Sequence, residues 1–413
     1  MSEDKKKVPK LRFPGFEGEW EETRLGDAVE RITRKNINNE TGLPLTISAK
    51  YGLIDQESFF NNRVASKDVS DYYVIKKGEF AYNKSYSEGY PYGVVKRLDR
   101  YDKGVLSTLY IIFRLKSNKI CSDYVAIYYD TTKWYIEVAK RAAEGARNHG
   151  LLNISADDFF DTKLAYPVNQ IEQNKIGIFF KYLERLIYYQ KSKIDQIRRM
   201  QEGLLQKMLP ADGESTPKVR FPGFADMWKC RKLRDIAEII GGGTPNTKKA
   251  EYWGGDIDWY SPTEIKGKRY VDGSVKKITR KGLEKSSAKL LPGGRTILFA
   301  SRASVGDMAI LRHSGATNQG FQSLVLRDGY DPYFVYASGI KIKRFAVRNA
   351  AGSTFPEISA KQLGNMDYQV PTYEEQQSIG GLIRKIDDLI TVHQNKLSHL
   401  EKLKKGLLQQ MFI

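Results

Sequence analysis

The chain of 413 residues is 41% apolar and 28% charged, a globular composition long enough for two domains that each bury a core. Its 67 lysines and arginines against 49 acidic residues leave a formal charge of +18. That field favours a polyanion such as nucleic acid, although basic surfaces also aid solubility or bind ribosomes and acidic lipids. Two cysteines, Cys121 and Cys230, give neither a disulfide framework nor a thiolate zinc site. No apolar run reaches bilayer length and none follows Lys5-Lys6-Lys7, so the expectation is a cytoplasmic protein with neither leader nor membrane span.

In chain order, the first feature is Pro9-Lys10-Leu11-Arg12-Phe13-Pro14-Gly15-Phe16, which recurs as Pro217-Lys218-Val219-Arg220-Phe221-Pro222-Gly223-Phe224. The copies stay in step through Trp20 and Trp228, Leu25 and Leu233, Asp27 and Asp235, and Glu30 and Glu238. Behind the first copy, β-branched and aromatic runs at 72–75 and 109–115 predict strands, and 123–140 predicts a helix. A longer helix follows, apolar at Ile176, Phe180, Leu183, Ile187, Ile194, Ile197, Leu204 and Met208. With Gln190 and Gln201 included, the steps alternate four and three, which is a heptad seam. Residues 210–217 then have linker chemistry, with proline at both ends and glycine between.

The second copy brings predicted strands at 295–299 and 323–326, a predicted helix at 332–344, and a second seam in the same register. That seam runs through Ile379, Ile383, Ile386, Ile390, His393, Leu397, Leu400, Lys404, Leu407 and Met411. Glu172-Gln173 and Ile176-Gly177 match Glu375-Gln376 and Ile379-Gly380, and Gly203-Leu204-Leu205-Gln206 matches Gly406-Leu407-Leu408-Gln409. The start of the unit moves from 9 to 217 and its end from 172 to 375, so the intervening segments differ in length as well as in sequence. Constant flanks around variable middles suggest one frame carrying two different recognition surfaces. The expected division is a first domain with its tail over 1–165, a helix over 166–210, a linker over 211–219, a second domain over 220–367 and a second helix over 368–413. Each seam covers more than thirty residues, roughly 50 Å at about 1.5 Å per residue. Such length favours paired helices over the alternative of two core helices in separate domains. Gly203 and Gly406 inside the seams fit a close helix approach, a kink, or fraying.

No catalytic constellation is assembled. Gly267-Lys268-Arg269 lacks the hydroxyl and upstream glycine of a nucleotide-binding loop, Gly241-Gly242-Gly243 lacks dinucleotide spacing, and the Asn-Pro-Pro-aromatic signature of amino-methyltransferases is missing. His149, His313, His393 and His399 make no metal-ligand pair, while scattered carboxylates leave a nuclease site open on motif grounds. What the variable segments do hold is hydrogen-bonding material suited to base edges and phosphates. In the second unit the candidate contact residues are Thr244, Asn246, Lys248, Ser261, Thr263, Ser301, Arg302, Ser304, Asn318 and Gln319. In the first they are Lys50, Tyr51, Asn83, Lys84, Ser85, Tyr86 and Tyr92; aligning Gly78-Glu79-Phe80 with Gly294-Arg295-Thr296 brings 83–85 near 300–304. The competing reading is that these Gly, Thr, Asn and Pro residues simply build turns.

On these residues the chain resembles, over nearly its whole length, the specificity subunits of type I restriction–modification systems. The resemblance rests on the Arg-Phe-Pro-Gly-Phe openings at 12–16 and 220–224, on Gly242-Gly243-Thr244-Pro245, and on Tyr252-Trp253-Gly254-Gly255-Asp256-Ile257. It continues through Ser301-Arg302-Ala303-Ser304-Val305-Gly306, Thr317-Asn318-Gln319-Gly320-Phe321, Ser353-Thr354-Phe355-Pro356-Glu357-Ile358-Ser359 and the Glu-Gln-x-x-Ile-Gly helix starts. The first domain departs most, with Asn83-Lys84-Ser85-Tyr86 in place of Ser-Arg-Ala-Ser. The resemblance implies an α+β, pseudo-twofold tandem repeat: two target recognition domains separated by two long conserved helices in an antiparallel coiled coil. It further implies a non-catalytic subunit that reads a bipartite, asymmetric double-stranded DNA site. Two methyltransferase subunits and two restriction subunits would dock on it, and S-adenosylmethionine, magnesium and ATP would be needed only by those partners. Tyr182, Arg185 and Lys191, off the seam, are then candidates for methyltransferase docking, or an ordinary solvated face.

Overall fold

A computed structural model describes residues 7–413 except 63, 88, 143–145, 148–150 and 353–355; Lys5-Lys6, His149 and Ser353-Thr354-Phe355 therefore lie outside the described residues. Two units arise, one of Met1–Lys191 with Lys396–Ile413 and one of Ser192–Asn395, the division falling inside both long helices.

The repeated flanks build the same frame in each unit. In the first, Glu21–Arg24 pairs antiparallel with Lys163–Tyr166, and the following turn Leu25–Ala28 starts with the Leu25 N–H donating to the Thr162 carbonyl at 2.8 Å. In the second, Lys229–Lys232 pairs with Asp367–Val370, and the Leu233 N–H donates to the Met366 carbonyl at 2.9 Å. Arg12 forks onto Glu172 at 2.7 and 2.8 Å, and Arg220 forks onto Glu375 at 2.8 and 2.7 Å. Both carboxylates are buried, a state tolerated because the planar guanidinium satisfies two oxygens at once. The adjacent glutamines also act alike. Gln173 accepts the Cys121 N–H and donates to the Pro167 carbonyl, and Gln376 accepts the Asp331 N–H and donates to the Pro371 carbonyl.

Within each frame sits an antiparallel sheet whose central strands are apolar on both faces. The order in the first unit is Val29–Ile32, Ile111–Leu115, Phe80–Asn83, Val94–Arg97. The second unit has Ala237–Gly241, Gln322–Leu326, Thr296–Phe299 and Met308–Leu311 in the same order, with Tyr270–Val271 added parallel at the edge. The additions differ. The first unit carries the hairpin Leu45–Ser48/Gly52–Asp55 and the pair Tyr73–Lys76/Lys103–Leu106; the second carries a three-stranded sheet of Lys276–Ile278, Trp253–Tyr260 and Gly315–Thr317.

Two helices expected from periodicity are each broken in two. The stretch 123–140 becomes Ser122–Tyr128 and Tyr135–Arg141, because the Thr131 hydroxyl donates to the Tyr128 carbonyl and the Trp134 indole N–H to the Tyr129 carbonyl, drawing the chain into a turn. The stretch 332–344 becomes Pro332–Ala337 and Gly339–Asn349, with the Ser338 hydroxyl bonded back to the Phe334 and Val335 carbonyls.

The long helices run Gln170–Met208 and Tyr373–Gln410. Their seams do two jobs. In the first unit Ile176, Phe180 and Leu183 join the core of the unit's own sheet, together with Leu408, Met411 and Phe412 from the chain end; Ile187, Leu400 and Leu407 are half-buried against it. Farther along, the Lys404 ammonium bridges Glu184 at 2.6 Å and Asp130 at 3.0 Å, and Lys191 pairs with Glu401 at 2.7 Å. In the second unit Ile194, Ile197, Ile379, Ile383, Ile386 and Ile390 are buried, and Gln201 donates to Asp387 at 2.8 Å. Leu204 and Leu397 are half-buried, while Met208 and Met411 at the ends of the two seams are buried again. Gly203 and Gly406 do not mark a close approach among the described residues: a Cβ built on either meets none of them within 4 Å.

Candidate nucleic-acid interface

In the second unit three separate segments converge on residues 317–321. The Gly243 N–H donates to the Thr317 carbonyl at 2.8 Å, the Asn318 N–H to the Tyr260 carbonyl at 3.0 Å, and the Ser301 N–H to the Gly320 carbonyl at 2.8 Å, while Ala300 forms a bridge with Phe321. The approach of 241–243 to this loop requires glycine, since a Cβ on Gly242 would fall 2.0 Å from the Asn318 carbonyl oxygen. The Thr244 hydroxyl then reaches the Gln319 side-chain oxygen at 2.5 Å, on the exposed side of the junction.

The sequence-predicted residues of this unit fall into three groups. Thr244, Gln319, Thr263, Lys248, Asn246 and Arg302 are exposed at or beside the junction. Asn318, Ser304 and Ser261 are half-buried and hold turns: Asn318 accepts the Gly320 N–H at 2.9 Å, the Ser304 backbone closes the 301–307 loop, and Ser261 caps the helix Pro262–Ile265 with Glu264 at 2.8 Å. Asn246 also does turn work, accepting the Lys248 N–H at 3.0 Å. Ser301 alone is fully buried, with its hydroxyl lacking a hydrogen-bond partner among the described residues, so this side chain does not reach the surface. Arg302 meets Glu357 at 2.8 Å, a residue not singled out from the sequence as a contact. The basic helix Gly339–Asn349 lies beside the same loop, tied to it by Lys343 and Asp307 at 3.0 Å. A run of four cations within it, Lys341, Lys343, Arg344 and Arg348, was the available signal.

The first unit places its loop after the equivalent strand, as the alignment of 78–80 with 294–296 expects, but fills it differently. The Leu152 N–H donates to the Lys84 carbonyl at 2.8 Å, the Lys84 ammonium donates to the Ile154 carbonyl at 3.1 Å, and Asn83 accepts the Ser85 N–H at 3.1 Å. These three are half-buried, whereas Tyr86 is 63% exposed. Tyr92 packs its ring on Tyr135 at 5.4 Å and accepts the Tyr82 hydroxyl through its carbonyl. Burial and the neighbouring Tyr135 push the Tyr82 hydroxyl above its ordinary pKa, so it stays a neutral donor. Lys50 and Tyr51 sit elsewhere, at the tip of the 45–55 hairpin, the ammonium 5.1 Å from the ring centroid. Among the described residues no group of His, Cys, Asp and Glu is gathered to hold a metal ion, and no helix is long and apolar enough to cross a membrane.

Comparison with known proteins shows what the chain is similar to. Residues 225–402 match the family described as the type I restriction modification DNA specificity domain. A specificity subunit of the type I restriction enzyme MjaIX from Methanocaldococcus jannaschii is 36% identical over 190 residues, 45% of this chain and 44% of that one. The Escherichia coli EcoR124I/EcoR124II specificity subunit is 31% identical over 39% of this chain and 41% of its own length. The chain therefore aligns with less than half the length of these two relatives. The putative MjaX specificity subunit, also from M. jannaschii, is 22% identical but aligned over 94% of this chain and 92% of its own. The fold is shared with the S subunit of a type I system from M. genitalium (TM-score 0.59, 13% identity, 98% and 99% coverage) and with a chain from a study of complex assembly and conformational transition of the type I R-M system (TM-score 0.59, 17% identity, 98% and 99% coverage). Residues 225–402 are thus similar to the type I restriction modification DNA specificity domain, and the chain is similar to specificity subunits of type I restriction enzymes.

Proposed function

We propose that the chain is the non-catalytic DNA-reading subunit of a type I restriction–modification complex, binding double-stranded DNA with one recognition domain per half of a bipartite, asymmetric site. The observation that carries this reading is one frame built twice, with paired Arg–Glu forks, around two loop sets of different chemistry. Two heads of one construction but unlike contact residues suit a site with two unlike halves. The glycine, amide, hydroxyl and guanidinium groups around 317–321 supply donors and acceptors of the kind that read base edges, and the +18 charge supplies capture of the phosphate backbone.

In this reading residues 1–165 and 220–367 are the recognition domains, 211–219 is the linker, and 166–210 and 368–413 are the spacer helices. Within the first unit the contacts Glu184–Lys404 and Lys191–Glu401 run in opposite chain directions, which supports antiparallel pairing of the two long helices there. Two methyltransferase and two restriction subunits dock on this scaffold in the cytoplasm, bringing S-adenosylmethionine, magnesium and ATP with them. Tyr182 and Arg185 are exposed on the first spacer helix and open to such docking, while Lys191 is already engaged with Glu401.

Sequencing genomic DNA for methylated adenines with and without the chain tests the proposal. A single bipartite motif should appear only when the chain is present, and unchanged methylation would refute it. Arg302→Ala should relax specificity in one half of that motif, by about 1–3 kcal/mol for a lost bidentate base contact. An equal loss on every DNA sequence would reassign Arg302 to a phosphate.

A further inference from the structure

Arg302 stands on a loop held from every side. The Ala300 N–H donates to the Asp307 carbonyl and the Gly306 N–H returns to the Ala300 carbonyl, both at 2.9 Å, and the tip turns on Ala303 in the left-handed region at φ 60°. The base of the loop is pinned through Ser301, whose N–H donates to Gly320 and whose carbonyl accepts the Ile358 N–H at 3.2 Å. That last bond places Glu357 next to Arg302. Glu357 is itself fixed by a two-bond bridge to Ala351, N–H to carbonyl in both directions at 2.9 Å. These backbone bonds bring a guanidinium and a carboxylate side by side, and the carboxylate meets the guanidinium at Nε, 2.8 Å away. Among the described residues Glu357 faces this guanidinium from its Nε side, and about half of the Arg302 side chain (49%) stays exposed to solvent.

We infer that Glu357 is a positioning residue for sequence reading: it holds Arg302 by the Nε side so that the outer two nitrogens present a fixed fork to one base. The inference rests on the DNA-reading function proposed above and adds the residue that sets its specificity at one position. A bidentate contact to guanine O6 and N7 needs both nitrogens in the plane of the base, and a long side chain with several free torsions loses that alignment without a second anchor. The pair is half exposed, with side-chain exposures of 49% and 38%, and an ion pair so open to water contributes little to folding. Its use is therefore orientation of the arm rather than support of the fold.

The test uses the full chain and a pool of random duplexes, with bound DNA sequenced for wild type, Arg302→Ala, Glu357→Ala, Glu357→Gln and the double alanine variant, alongside thermal unfolding. Glu357→Ala should flatten the preference at the same base position that Arg302→Ala flattens, by roughly five- to tenfold. Glu357→Gln should keep part of that preference, since it retains an acceptor of the same reach. The double variant should be no worse than Arg302→Ala, and the melting temperature should not move. Tighter binding of Glu357→Ala to all DNA would make the carboxylate a competitor for the guanidinium and overturn the inference. So would an unchanged preference, or a change at a different position. Should Arg302→Ala relax one position while both Glu357 variants read like wild type, the inference fails and the DNA-reading function stands. A wild-type chain without sequence preference would end both.

Discussion

The two units share a frame and differ at the edge where that frame could meet a ligand. In the second, the loop edge is made of glycine, amide and hydroxyl groups crossing at 317–321. In the first, it is backed by aromatics, with Tyr82 stacked on Phe159 at 4.3 Å and edge-on to Trp134 at 5.9 Å. The frames can stay alike because their fixing contacts, the Arg–Glu fork and the glutamine bridging to a carbonyl and an N–H, involve the flanks and helix starts rather than the loops after the central strands. Loop chemistry is thereby separated from folding. A unit built this way can exchange what it recognises without disturbing what holds it together.

The sharpest test of that separation is to break the frame itself. Arg12→Ala and Arg220→Ala each leave a buried carboxylate without its guanidinium and should cost about 3–5 kcal/mol, by nearly the same amount, in denaturant unfolding of the full chain. Clearly unequal losses would mean that the two forks are alike in geometry but not in role.

The next test compares a layer where the units diverge. Lys404 in the first unit answers two acids, Asp130 and Glu184, whereas Gln201 in the second unit answers Asp387, which also accepts the Tyr333 hydroxyl at 2.6 Å. Lys404→Ala should therefore cost about 2–4 kcal/mol and Gln201→Ala about 1 kcal/mol. The charged layer should also show in pH dependence. Burial alone would raise the Asp130 pKa, but Lys96 and Lys404 outweigh it and hold the carboxyl below its usual value. A depressed folded-state pKa contributes stability that is complete above the unfolded value near about 4 and fades as the pH falls toward about 2. Asp130→Asn should flatten that part of the stability profile; an unchanged profile would remove Asp130 from the account.

Much of the frame was legible because its signals are local and repeated: Trp20 and Trp228, the Glu-Gln helix starts, and two seams in one register. Burial along those seams followed the heptads for Ile176, Phe180, Leu183, Ile379 and Ile383. At the chain end Leu408 and Phe412, off the expected row, are buried while Leu407 is only half-buried, because the helix there packs on a sheet core rather than on one partner helix. The loops were less legible. Residue type alone cannot separate a hydroxyl that caps a turn, as in Ser261, or one sealed in the core, as in Ser301, from one that faces out, as in Thr244. Glu357 was hidden for a similar reason: its pairing with Arg302 joins segments far apart in sequence.

The smallest effect concerns the glycines that both copies carry inside the seams. A glycine in a helix interior costs about 0.5–1 kcal/mol relative to alanine, and retaining one at the matched sites 203 and 406 would be explained if a neighbour came too close for a Cβ. Neither position has such a neighbour among the described residues, in contrast to Gly177 and Gly380, where a Cβ would fall 2.7 Å from Asp123 and from Asp331. Gly203→Ala and Gly406→Ala should therefore stabilise the isolated chain by that half to one kcal/mol, since the unfolded chain loses freedom while the helix gains no strain. Gly177→Ala and Gly380→Ala should destabilise it instead. If the first pair stabilises the chain yet weakens its assembly with partner subunits in a titration, the space beside residues 203 and 406 is filled by something other than this chain.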